Sequence, residues 1–195
     1  MAKIKPGKHI SKKDMITLKA AALFKTKGYA ATSMRALAES VGVEAPSLYN
    51  HIGGKSELLQ AICFKVAHIF NSYLDTTEKT AGNSVTKLEN IIRFHIHMML
   101  ENFDEVYVAN HEWKQLKEPY LSHFLIQRRA YEKRFVALVE TGIRTHELKA
   151  VNPQVAVLTI LSAVRGLEFW QNKKKISHQI LEDDMTNHLL KGILN

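Results

Sequence analysis

The stretch from Ala20 to Leu59 is cut twice by glycine, at Gly28 and Gly42, and this punctuation constrains the chain more than any other feature. Upstream of the first break, Ser11 and Asp14 have capping-box spacing, and Ile16, Ala20, Leu23 and Phe24 recur as one apolar stripe. Together they predict a helix over about 11–26 that Gly28 ends. The Thr32 and Ser33 hydroxyls are placed to cap the free amides of Met34 and Arg35, starting a second short helix that buries Met34, Leu37, Ala38 and Val41 on one side. Gly42 breaks the chain again. A third helix over about 45–51 is too short to persist alone, so Val43 and Leu48 must hold it against its neighbours and its polar side is left free.

A helix, a tight glycine turn and a second helix with small Ala38 at the crossing make a helix-turn-helix, in which the second helix enters the DNA major groove. The residues in question are Phe24, Gly28-Tyr29, Thr32, Ala38, Gly42-Val43, Leu48-Tyr49, His51 and Lys55-Ser56-Glu57-Leu58-Leu59. This series resembles the signature of the N-terminal domain of TetR-family transcriptional regulators across about forty residues. It departs from that signature at Ile52, where the family usually places Phe, and packing is preserved because both are apolar. Asn50 falls at a variable position that can help select sequence.

Charge supports the same reading independently. Residues 1–55 hold ten Lys/Arg against three Asp/Glu, a net +7, while the rest of the chain adds only +1 to reach the total of +8. A basic segment attracts phosphate by releasing condensed counterions, so DNA binding should weaken steeply with salt. Lys3, Lys5, Lys8, Lys12 and Lys13 read either as a solvated arm or, as in similar proteins, as contacts to the backbone or minor groove.

Within the head, Tyr49, His51 and Lys55 supply a phenol, an imidazole and an ammonium that can meet phosphate oxygens, as the matching family positions commonly do, and such contacts position rather than specify. Thr32 belongs to the same set through its capping position, and Ser33 with the exposed amides of the second helix can receive another phosphate. Arg35, Glu44, Ala45, Pro46, Ser47 and Asn50 are the candidates for base contact: Arg suits guanine, Asn suits adenine, and Ala or Pro suits a thymine methyl. For each, plain solvent exposure is the competing reading.

The remainder reads as helical. The expected helices run from Lys55 to about Asp75, Ser84 to Asn102, Val106 to Trp113, Tyr120 to Thr145, Pro153 to about Gln171 with Asn152 as cap, and from Ser177 to about Leu190 after the loop Lys173-Lys174-Lys175. The fold class is therefore all-α with about nine helices, divided into a helix-turn-helix domain at 1–54 and a larger helical domain at 55–195. At 46% hydrophobic content the chain can bury a real core, and no apolar run approaches the ~20 residues needed to span a membrane. The basic N-terminus lacks the apolar core and cleavage site of a secretory signal, so a cytoplasmic protein is expected. The single Cys63 cannot form an intrachain disulfide and lies in the stripe Leu58, Leu59, Ile62, Val66, which favours a buried structural thiol over a redox sensor.

The resemblance implies that the larger domain binds a small ligand and dimerises. Val155, Leu158, Thr159, Ser162 and Gly166, with Ile180, Met185, Leu189 and Ile193, offer faces for a homodimer contact, the alternative being packing within one subunit. Met98, Met99, Phe103, Trp113, Phe124, Tyr131, Phe169 and Trp170 are candidates to line an effector pocket, although stripes of this kind are more often core. The segments His111-Glu112-Trp113-Lys114, Arg128-Arg129-Ala130-Tyr131 and Thr141-Gly142-Ile143 loosely resemble family members that respond to acyl-coenzyme A thioesters. Arg128, Arg129, Arg165 and Lys173 to Lys175 could then receive coenzyme A phosphates, against the ordinary reading of surface charges or ion pairs with Glu132 or Glu168.

Enzyme chemistry finds no support. His111-Glu112 lacks the second His of a zinc-protease motif, no Cys pair has zinc spacing, and Gly53-Gly54-Lys55-Ser56 lacks the first Gly of a phosphate loop because Tyr49 stands there. His95 and His97 lie two apart on a helix and point to different sides. No catalytic residue, metal or cofactor is expected. The function expected is a ligand-responsive regulator, a repressor bound to double-stranded operator DNA and released by a small apolar or acyl-coenzyme A effector; the alternative is a DNA-binding adaptor without an effector.

Overall fold

The computed structural model describes residues 11–170 and 176–194, and every regular element among them is helical. The α-helices are α1 Lys12–Lys27, α2 Met34–Val41, α3 Ala45–Tyr49, α4 Lys55–Lys79, α5 Ser84–Glu101, α6 Phe103–His111, α7 Tyr120–Arg144, α8 Pro153–Arg165 and α9 His178–Lys191. Short 3₁₀ turns at Trp113–Gln115 and Gly166–Phe169 follow α6 and α8. An isolated antiparallel bridge between Leu148 and Leu194 fastens the end of the chain to the α7–α8 connection, with Lys149 N–H donating to Ile193 O at 2.9 Å.

Short polar side chains start these helices. Ser11 accepts from Asp14 N–H at 3.0 Å, Ser33 from Ala36 N–H at 3.1 Å, Asn83 from Thr86 N–H at 2.9 Å, Asn152 from Val155 N–H at 3.1 Å and Ser177 from Ile180 N–H at 3.3 Å. Each satisfies one of the amides that a helix start leaves without an internal partner.

Several expected boundaries shift. α4 continues one turn past Asp75 because nothing in the chain breaks it before Gly82. α6 starts at Phe103 rather than Val106: Asn102 alone separates it from α5, and Asp104 and Glu105 fall in its first turn, where the helix favours negative charge. α8 stops at Arg165 and tightens into the 3₁₀ turn instead of reaching Gln171. Lys12 and Lys13 are not part of an arm but lie in the first turn of α1, where Lys13 pairs with Glu57 of α4 at 2.8 Å. Lys3, Lys5, Lys8 and Lys173 to Lys175 lie outside the described residues.

One continuous hydrophobic core runs from Ile16 and Phe24 in α1 through Leu58, Leu59 and Ile62 in α4 to Phe135, Val139 and Ile160. Ile52, at the position that differs from the TetR signature, is buried in this core. Ile193 is buried there too, which removes it from the face available to a second subunit. α6 packs against α1 on one side and α4 on the other, α9 lies along α5, and α7 joins α4 to α8.

α7 packs tightly against its surroundings at Gly142. A Cβ there would come within 2.7 Å of Leu148 Cδ1 and 2.9 Å of Ser84 Cβ. An alanine in a helix interior ordinarily stabilises by about 1 kcal/mol relative to glycine. At this position overpacking reverses the sign: Gly142→Ala should lower unfolding stability by roughly 1–3 kcal/mol, measurable by urea denaturation.

Candidate functional site

The reading head is built around two turns. Gly42 closes α2 in the left-handed conformation (φ 79°, ψ 34°), with its N–H donating to Ala38 O at 3.0 Å and Val43 N–H to the same oxygen at 3.0 Å. This turns the chain sharply and launches α3, where Pro46 in the first turn has no amide to leave unpaired. Leu48 is fully buried and anchors α3, while Tyr49 (54% exposed) and Asn50 face outward with Glu44 and Pro46. Ala45, Ser47 and His51 are half-buried on the same short segment. Arg35 is exposed and pairs only with Glu39, one turn along α2, at 3.1 Å. An exposed pair of this kind is worth little, so the guanidinium is easily transferred to another acceptor.

Two of the expected DNA contacts have different work. The Thr32 side chain is buried and its hydroxyl donates to Gly28 O at 2.8 Å, so it locks the α1–α2 connection and does not cap α2. Ser33 alone is the cap, and it is exposed. Lys55 turns inward: its Nζ donates to the carbonyl oxygens of Tyr29 at 2.7 Å, Ala30 at 3.2 Å and Thr32 at 2.9 Å, and lies 4.4 Å from the centroid of the Tyr29 ring. An ammonium has three donors, and these three carbonyls use them all. Lys55 therefore ties α4 to the α1–α2 connection and has no hydrogen left for a phosphate.

Beneath the head, α4, α5, α6, α7 and α8 line a partly open cavity of about 110 Å³. Of the expected lining residues, Met99, Phe124, Arg128, Tyr131 and Arg165 reach it. The others do not. Met98 is buried in the core beside the wrong face of α5, and Phe103 packs edge-on to Tyr107 with the Lys25 ammonium 4.8 Å from its ring. Trp113 lies behind the wall, 5.6 Å from the Arg128 guanidinium. Phe169 (78% exposed) and Trp170 are carried to the outer surface by the 3₁₀ turn that ends α8.

The cavity also contains residues that periodicity does not single out. His95 Nε2 and Tyr131 Oη are 2.7 Å apart, and Phe70 packs 4.6 Å from the imidazole. Burial drives the His95 pKa down to about 3, with Arg165 adding to the effect, so the ring is neutral at ordinary pH. The signal was a histidine on the inner face of an apolar helix, opposite the exposed His97. Arg128 is half-buried, and burial followed by the nearby Arg165 pulls its pKa below the usual range. Neither Arg128 nor Arg165 forms an ion pair among the described residues: Glu168 is engaged by His111 at 2.8 Å, Glu132 lines the same cavity and acts on Arg128 only through its field, and Arg128 donates to Ala109 O at 3.4 Å.

α6 links cavity and head. Its Val106, Ala109 and Asn110 line the cavity. Asp104 of the same helix pairs with Lys25 of α1, and buried Glu105 pairs with Lys65 of α4 at 2.9 Å. Cys63 is fully buried, and desolvation lifts its thiol to about 12, which makes it an inert core group. The described residues hold no cluster of His, Cys, Asp or Glu suited to a metal ion.

An all-helical chain with a helix-turn-helix head joined to a cavity-bearing bundle is the architecture of a one-component transcriptional regulator. Residues 16–62 match the family described as bacterial regulatory proteins, tetR family, and residues 81–193 match the tetracyclin repressor-like C-terminal domain. The chain belongs to the TetR family of transcriptional regulators and is not an enzyme. The HTH-type transcriptional repressor KstR2 of Mycolicibacterium smegmatis is 23% identical over 145 residues, 73% of this chain and 70% of that protein. KstR2 of Mycobacterium tuberculosis H37Rv is 25% identical over 126 residues, 64% and 62% of the two chains. The solved structure of the ketosteroid transcriptional regulator KstR2 of M. tuberculosis superposes with a TM-score of 0.89 at 18% identity, covering 97% of this chain and 98% of the other. AibR, solved in complex with isovaleryl coenzyme A and operator DNA, gives 0.80 at 23% identity over 91% and 97%.

Two outcomes check this description. Lys55→Ala should destabilise the protein by on the order of 1–3 kcal/mol and weaken DNA binding, while the slope of log K against log salt changes by much less than the ~0.9 expected for one lost phosphate contact. Cys63 should resist a thiol reagent at pH 8 in the folded protein and react fully in denaturant.

Proposed function

We propose that the protein is a homodimeric repressor, located in the cytoplasm with its operator DNA and released from it by an amphipathic anion, of which an acyl-coenzyme A thioester is the leading class. Residues 1–54 act as the DNA-binding part and 55–195 as the effector and dimer part. Tyr49, His51 and Ser33 position the head on phosphates, and Arg35, Glu44, Ala45, Pro46, Ser47 and Asn50 are offered to base edges. Lys55 contributes by holding the head in shape. Among the described residues no helix is long and apolar enough to cross a membrane.

The observation that carries the effector reading is the cavity with its two unpaired guanidiniums, bounded by a helix that is also tied to α1. An apolar chain would occupy the space beside Met99 and Phe124, and an anionic end would lie against Arg128 and Arg165. AibR, a structural relative, was solved with such a thioester. A DNA-binding adaptor without an effector has no use for a half-buried Arg128 held outside any ion pair at a cavity wall, with Arg165 at the exposed edge of the same cavity. At about 110 Å³ the cavity is well below the ~300–1,000 Å³ of ordinary ligand sites, so an effector of this size must displace the walls. Displacing α6 moves the Lys25–Asp104 link and with it α1. The effector then favours the conformation whose two heads no longer fit both half-sites, by as much as its affinity for the two conformations differs.

The dimer would form on α8 and α9, where Val155, Leu158 and Ile180 are each more than half exposed and Phe169 and Trp170 lie alongside. Isolated apolar residues on a surface are ordinary, but a contiguous group of this kind marks an interface.

Fluorescence anisotropy on DNA from upstream of the protein's own gene, with a panel of short and long acyl-coenzyme A thioesters, tests the reading. The expected result is tight, salt-sensitive binding released by one chain-length class. Arg128→Gln or Arg165→Gln should raise the thioester concentration needed by about tenfold or more while DNA affinity is retained. Release unaffected by either substitution would remove the anionic contact, and binding that no thioester disturbs would remove the effector class.

A further inference from the structure

We propose that the His95–Tyr131 pair is a recognition site for a neutral ligand oxygen, a carbonyl or hydroxyl carried on an apolar body inside the cavity. The inference rests on reading the cavity as an effector site and adds the polar group that an effector must carry.

The pair is the aromatic part of a polar set that also includes Asn71, Asn110 and Glu132. Phe70, Met99, Phe124 and Leu161 make the neighbouring cavity wall apolar, yet an imidazole and a phenol meet there at 2.7 Å. Only one ring nitrogen is used. Among the described residues Nδ1 of His95 has no hydrogen-bond partner, and it is not one of the sealed, unsatisfied polar atoms, of which Thr186 Oγ1 is the sole example there. A polar pair that merely filled the core would close both nitrogens, because a sealed orphan is costly. Here His95 lines the cavity with one nitrogen not taken by the pair.

Proton bookkeeping defines what the pair can hold. When the phenol donates to Nε2, the imidazole carries its hydrogen on Nδ1, leaving a free N–H and a free phenol lone pair. When Nε2–H donates to the phenol oxygen instead, Nδ1 becomes an acceptor and the phenol O–H is freed. Either tautomer thus presents one donor and one acceptor, and exchanging tautomers swaps their positions. A carbonyl uses the donor, and a hydroxyl can use both. Two guanidiniums, Arg128 and Arg165, outnumber the one carboxylate, Glu132, at the same cavity and disfavour a ligand cation, whereas a ligand carboxylate is better served by those guanidiniums than by a neutral pair. The two kinds of group therefore sort a ligand's polar atoms: charge to the arginines, a neutral oxygen to His95 and Tyr131.

The cavity volume, about 110 Å³, suits small-ring probes, since cavities of ~150 Å³ take benzene. Cyclopentanol and its hydrocarbon counterpart methylcyclopentane can be titrated into the full-length protein, without DNA, and compared with the double variant His95→Leu/Tyr131→Phe. Removing both partners leaves no orphaned polar atom, which favours a folded variant. Cyclopentanol should bind about tenfold or more weakly to the variant while methylcyclopentane binding is retained, a difference in which the probes' hydration cancels. In the unsubstituted protein, cyclopentanol but not methylcyclopentane should shift the His95 Nδ1 resonance in an imidazole ¹⁵N correlation spectrum. Equal weakening of both probes, an unmoved Nδ1 resonance at saturating cyclopentanol, or failure of cyclopentanol to bind would each overturn the proposal and leave the pair as an internal bond of the core. Because the readout is occupancy and not release from DNA, failure of acyl-coenzyme A thioesters to relieve repression would leave this result standing.

Discussion

The Lys55 ammonium is the hinge pin of the molecule. Its three carbonyl acceptors lie on the connection between α1 and α2, while its backbone starts the 25-residue α4 that runs into the bundle. A charged donor shared among neutral carbonyls is among the stronger hydrogen-bond arrangements available to a protein. It is reinforced by the Tyr29 ring below it and by Thr32, whose hydroxyl closes the same turn onto Gly28. The placement of α2 and α3 relative to α4 follows from this knot, and so does the direction in which Tyr49 and Asn50 project. The positive charge that a sequence reading assigns to DNA is spent on architecture.

A second set of charges ties the knot to the bundle. Lys13 reaches Glu57, Lys25 reaches Asp104, and Lys65 reaches Glu105, so α1, α4 and α6 are cross-linked near the head. Of these carboxylates Glu105 is buried, and a carboxylate buried with a single cation is strongly destabilising to orphan. The links are thus rigid where α6 meets α4 and more easily rearranged at the exposed Lys13–Glu57 pair. A helix held this way transmits displacement as a body and does not absorb it by bending.

Local chemistry made the head legible in the sequence: glycines where the chain must turn, Ser11, Ser33, Asn83, Asn152 and Ser177 where helices start, and apolar residues at helical spacing. These signals act over three or four residues. The cavity was legible only in part because it depends on which faces of five helices converge. Arg128, Tyr131 and Phe124 were found because they share one face of α7, whereas Phe169 and Trp170 were misplaced because helical periodicity was continued through a 3₁₀ turn. His95 was passed over because two histidines at adjacent alternate positions read as a pair without a site, when one points into the bundle and the other to solvent. The double role of Lys55 was hidden for a similar reason: a lysine at the start of a helix beside DNA carries the same letter whether it faces phosphate or carbonyl.

The small size of the cavity has a consequence for regulation across a genome. If DNA holds the conformation in which the cavity is small, then the tighter an operator grips the head, the more free effector is required to widen the bundle, by the reciprocity of linked equilibria. Promoters bearing weak half-sites would be vacated early as effector accumulates and those bearing strong ones late. A single protein of this design converts one rising concentration into an ordered schedule of gene release, with the order written in the DNA.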